Sequence, residues 1–155
     1  MTKVFLSLHV LAALLCIGPV TVAASMFPRA LRAAHGEPRD DQAVTTLRML
    51  HRICRVYAAI GVAVPVLGFA TAGSLGVLGT GWLIASILLT AAAAAILALL
   101  ILPAQDRALD AAQAAEPGPV TRIAGRLASL TGVFNLLWAT VTVLMIVRPG
   151  STTGA

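Results

Sequence analysis

Charge is what this chain has least of: Asp, Glu, Lys and Arg make up 11% of its 155 residues, aromatics 5%, and there are two cysteines. No charged residue falls in the middle of a long apolar stretch, which weighs against proton- or sodium-driven transport, since that usually relies on an intramembrane carboxylate. Nor does the chain hold a Ser, His and Asp arrangement, a cysteine-rich metal motif or a glycine-rich phosphate loop. The cysteines are ill placed for a disulfide. Cys16 falls midway along the first apolar stretch and Cys54 opens the second near one membrane face, so both read as small buried residues.

What is present is apolar: hydrophobic residues are 59% of the chain and the mean hydropathy is +0.93. Four stretches, at about 4–27, 53–73, 82–102 and 127–147, each approach the roughly 20 residues that cross a bilayer as a helix. No room is left for a separate soluble domain. In lipid every backbone polar group must be satisfied internally, so residues 1–155 form one all-α domain, an integral membrane antiparallel four-helix bundle.

The formal charge of +5 does not mark a nucleic-acid binder, because the arginines lie in connections and no aromatic-rich basic surface accompanies them. The first connection carries Arg29, Arg32, Arg39, Arg48, Arg52 and Arg55, the third Arg107, Arg122 and Arg126, and the second none. Retention of basic residues in the cytoplasm places both termini outside a multi-pass protein of the inner, cytoplasmic membrane. Lys3, the apolar run and Val22-Ala23-Ala24 also suit a cleaved leader. Cleavage would leave three spans and export the first arginine cluster, so the segment is expected to stay. Ala13-Leu14-Leu15 before Cys16 lacks the small residue of a lipoprotein site.

In chain order, Pro28-Arg29 ends the first span and a loop follows to Asp41. Asp40 or Asp41 caps a helix beginning near Ala43 that feeds the second span. Val44, Leu47, Leu50 and Cys54 share one face of that helix; Arg48, Arg52 and Arg55 share another, where they snorkel to lipid headgroups or dock a partner. Pro65 kinks the second span, which holds Gly61 and Gly68, and Tyr57 stands near its cytoplasmic end. Ser74 to Gly81 makes an external turn, and Trp82 opens the third span at the outer interface. Ala91 to Ala95 allow a neighbouring helix to approach closely. Pro103 marks the cytoplasmic exit, after which Gln105 to Gln113 prolong the helix, so the second and third helices both extend into the cytoplasm. Glu116-Pro117-Gly118-Pro119 stops that helix, Val120 starts the last, Arg148-Pro149-Gly150 ends it, and Ser151 to Ala155 fray.

His9 is the one histidine expected inside the membrane, on a face with Phe5, Ala12 and Cys16. An imidazole there hydrogen-bonds a neighbouring helix, ligates haem b or copper, or shuttles a proton. His35 and His51 lie on the cytoplasmic side, so a two-histidine haem needs a pair across a homodimer. Packing is the expected role, with no cofactor. On the fourth helix Thr131, Asn135, Trp138 and Thr142 share a face; Asn135 is expected to bond Ser86 or Thr90, or to line a small cavity with Cys16 and Trp138.

Leu8-His9-Val10-Leu11-Ala12-Ala13 with Gly18, Leu67-Gly68-Phe69-Ala70-Thr71-Ala72-Gly73, Leu102-Pro103-Ala104-Gln105-Asp106-Arg107 and Leu144-Met145-Ile146-Val147-Arg148-Pro149 occur in an order that resembles bacterial predicted integral membrane proteins of unknown function with four helices. The likeness covers essentially the whole chain and brings no activity with it. The first span is also distantly similar to copper-resistance D and protoporphyrinogen oxidase membrane proteins, a likeness that transfers only His9 and Gly18. The expected function is a non-enzymatic accessory, assembly or interaction component that meets a membrane-protein partner or a second copy through helix contacts. The alternatives are a haem-binding redox protein using His9, and a small-molecule or copper permease with a polar path joining His9, Cys16 and Asn135.

Overall fold

The computed structural model describes residues 2–36, 40–116 and 118–150. Glu37, Pro38 and Arg39 of the first connection, Pro117 of the third and the expected frayed tail, Ser151 to Ala155, lie outside them. The described residues form helices and turns without a strand: α1 (Thr2–Ala34), α2 (Asp41–Ile60), α3 (Ala63–Leu75), α4 (Gly81–Ala95), a π-helical stretch (Ile96–Ile101), α5 (Leu102–Gln113) and α6 (Val120–Val147). Four continuous helical runs, Lys3–Ala34, Asp41–Leu75, Gly81–Gln113 and Val120–Val147, are long and apolar enough to cross a membrane. Short connections make successive runs antiparallel.

The first helix is longer than the sequence implies. It passes through Pro28 and continues to Ala34, where a loop was expected. Alanine, leucine and arginine after the proline favour helix. Leu31 and Ala34 are buried against Ala43, Leu47 and Leu50, and Arg32 Nε donates to the Pro28 carbonyl at 3.2 Å. Tertiary packing thus outweighs one lost backbone bond. The next helix is capped as its sequence suggests: the Asp40 carboxylate accepts from the amides of Gln42 at 2.9 Å and Ala43 at 3.1 Å.

Two prolines shape the middle of the bundle. Pro65 has no N–H to offer the Gly61 carbonyl, which accepts from Val64 at 3.0 Å instead, and the chain breaks at Gly61-Val62 between α2 and α3. Pro103 does not end the third run. Ahead of it the helix widens, with the Leu102 N–H bonded to the Leu97 carbonyl five residues back. The wide turn keeps Leu97, Ile101 and Gln105, at steps of four, on one buried face.

The first helix is central: α1 packs on α2, α3 and α6, α6 packs on α4, and α5 packs on α2. The largest apolar cluster sits at the arginine-rich end, joining Phe27 and Leu31 of α1 to Leu47 and Cys54 of α2, Leu109 of α5 and Leu127 of α6. A second, around Val20, Ala93, Ile101 and Phe134, lies mid-bundle. A third, small one joins Ala72, Trp82 and Leu83 at the other end. There the Arg148 guanidinium stands 5.7 Å from the Trp82 ring centre and ties the end of α6 to the start of α4.

Candidate functional site

His9 is buried, and its Nδ1 lies 2.9 Å from the Val64 carbonyl oxygen. A carbonyl only accepts, so Nδ1 carries a proton and donates it to this bond. The ring lies where a side chain at position 68 would be: a Cβ on Gly68 would stand 3.0 Å from His9 Cε1. Histidine and glycine thus form a fitted contact between the first and second spans, one supplying a ring and the other its room.

A second polar group lies at the arginine-rich end. His51 Nδ1 donates to Gln105 Oε1 at 3.3 Å, and Gln105 Nε2 donates to Cys54 Sγ at 3.7 Å. All three residues are buried. His51 Nε2 is also 3.3 Å from Asp106 Oδ1 yet makes no hydrogen bond. With the proton on Nδ1, Nε2 has nothing to donate to that carboxylate. This network links α2 to α5. The sequence held half of its signal, since His51 falls four residues after Leu47 and three before Cys54 on the buried face; Gln105 gave none, because its inward direction depends on the wide turn before Pro103.

Between these groups all four spans contribute to a half-open chamber of ≈ 150 Å³. Cys16, Tyr57, Pro65, Thr90, Phe134 and Trp138 are among its walls, which brings together Cys16, Thr90 and Trp138 of the expected cavity residues. Phe134 and Trp138 meet edge to face at 6.2 Å, and Trp138 Nε1 is buried without a partner. Ser86 turns away, its hydroxyl donating to the Trp82 carbonyl of its own helix at 2.9 Å. His9 stands outside the chamber walls. Cys16 and Cys54 are both free and buried. Among the described residues no three His, Cys, Asp or Glu side chains lie close enough to hold a metal together.

Asn135 bonds neither Ser86 nor Thr90. Its Nδ2 donates to Ser25 Oγ of α1 at 3.4 Å, while its Oδ1 and the Thr131 hydroxyl one turn away are buried without partners. The chamber's walls include Cys16 but neither His9 nor Asn135. Arg48, Arg52 and Arg55 are exposed along one side of α2, on the face opposite Leu47, Leu50 and Cys54.

No curated protein and no solved structure matches the chain. One family model does, over residues 3–149, nearly the whole length and all four spans. The chain thus belongs to the family described as predicted integral membrane protein (DUF2269).

Proposed function

We propose that this chain is a non-enzymatic component of the cytoplasmic membrane that acts by helix contact with another membrane-spanning helix, its arginine-rich end towards the cytoplasm. The observation that carries this reading is the Ser25–Asn135 pair, which is open to the lipid side of the α1–α6 seam. Asn135 lies about 13 Å along its helix from Arg126 and about 20 Å from Arg148, well within the hydrocarbon. Lipid offers these groups no hydrogen bond, whereas a helix bearing a hydroxyl or amide does.

The surroundings suit such a helix. Gly125, Ala128, Gly132 and Ala139 share the exposed face of α6 with Asn135, and a Cβ on either glycine would meet nothing within 4 Å. Packing within the chain does not require those glycines to be small; a backbone approaching from outside would. Arg48, Arg52 and Arg55, exposed along α2, meet lipid phosphates in the same reading.

A photoreactive residue at Ala128, activated in intact membranes, tests it. A protein adduct of one discrete mass, lost in Asn135→Leu while the chain stays at wild-type levels, is the expected result. Lipid adducts alone, or a protein adduct indifferent to Asn135, would overturn the proposal.

A further inference from the structure

We propose that the central chamber is a binding site for a membrane-dissolved ring of about benzene size that carries hydrogen-bond acceptors, the class to which quinone headgroups belong. The argument is independent of the α1–α6 face.

Size comes first. Protein interiors leave few voids, and an apolar-walled cavity of about 150 Å³ holds benzene; this chamber has that volume. Gly61, at the break that Pro65 imposes, forms part of its wall.

Access comes next. Val62 and Ala94 line the chamber and are exposed to the lipid side. They mark a mouth between the second and third spans. Those spans are tied by His51 and Gln105 at one end and by Ala72 and Trp82 at the other, which leaves a lateral entry from the bilayer at mid-depth.

The walls decide the chemistry. Carbon dominates them, no charged side chain is present, and the polar groups are the Tyr57 and Thr90 hydroxyls, the Cys16 thiol and the Trp138 indole. The Tyr57 and Thr90 hydroxyls hold no hydrogen bond to another described residue, and each can donate one. A neutral ring with carbonyl oxygens supplies acceptors, fits the volume and stacks against aromatic walls. Its apolar tail would pass between Val62 and Ala94 into lipid.

The test uses the full chain in lipid nanodiscs with Trp82→Phe, which leaves Trp138 as the reporter of the two tryptophans. The probe is a short-tailed benzoquinone, and the control is an alkylbenzene with the same tail. The expected result is saturable quenching of Trp138 fluorescence. Apparent affinity should fall at least tenfold in Ala94→Phe, which blocks the mouth, and severalfold in Thr90→Val, which keeps the shape, both with unchanged helicity by circular dichroism. If Ala94→Phe does not fold, Thr90→Val decides. Quenching that grows linearly with quinone in the membrane, saturation untouched by these variants, or alkylbenzene competing as well as quinone would each overturn the proposal.

Discussion

His9 and Gly68 occupy one space between two spans: the imidazole, held by the Val64 carbonyl at 2.9 Å, lies 3.0 Å from where a Cβ on residue 68 would be. The pair explains a glycine in a helix, where Ala would otherwise be favoured by up to about 1 kcal/mol. Gly68→Ala alone should destabilise the bundle by about 1 kcal/mol, because the ring must give up its bond to make room. In a His9→Ala background the same change should be neutral or stabilising. A double-mutant cycle on detergent unfolding reads the coupling; additive effects would sink the explanation.

The network at the arginine-rich end predicts an asymmetry. Gln105→Leu leaves the His51 Nδ1–H buried without an acceptor and should cost about 1 to 3 kcal/mol. Adding His51→Leu should recover most of that loss, since a polar pair exchanged for packed carbon is often neutral. A double variant less stable than Gln105→Leu would show that the network contributes more than its own satisfaction.

Arg148 carries two opposed effects. Its backbone is left-handed, with φ 45°, which a non-glycine residue adopts at some cost, and its guanidinium stands over Trp82. Arg148→Ala keeps the strain and loses the contact, so it should lower stability by roughly 0.5–1 kcal/mol. Arg148→Gly loses the contact but relieves the backbone, and should lie closer to wild type. Thermal unfolding of the two variants side by side separates the effects, and equal losses would remove the backbone part of the account.

Orientation has its own readout. If the arginine-rich connections face the cytoplasm, Gly79→Cys should react with an impermeant thiol reagent on intact cells and Gly118→Cys only after permeabilisation. Both glycines have open space around a new Cβ, and Cys16 and Cys54 are buried. The reverse pattern would invert the topology.

Much of the fold was legible because lipid leaves a chain few options: the four spans, the Asp40 cap, the buried stripe from Val44 to Cys54 and the break associated with Pro65 all follow from local pattern. The first connection was less so. Pro28 reads as a stop, and only the burial of Leu31 and Ala34 against α2 explains why the helix continues. Partners across helices were the least legible. Asn135 announced a need for a hydrogen bond without naming Ser25, because which helices adjoin is fixed by packing over the whole bundle; the His51–Gln105 contact required, besides, a π-helical turn whose position no sequence period reveals.

The most direct test of the helix-contact function is the size of the assembly released from native membranes into lipid nanodiscs without crosslinking, compared between wild type, Asn135→Leu and Gly132→Ile. The account predicts wild type in a particle with more protein than one 15.9 kDa chain, and both variants as single chains with unchanged helicity. Wild-type protein recovered as a single chain, or variants that keep the larger particle, would contradict it.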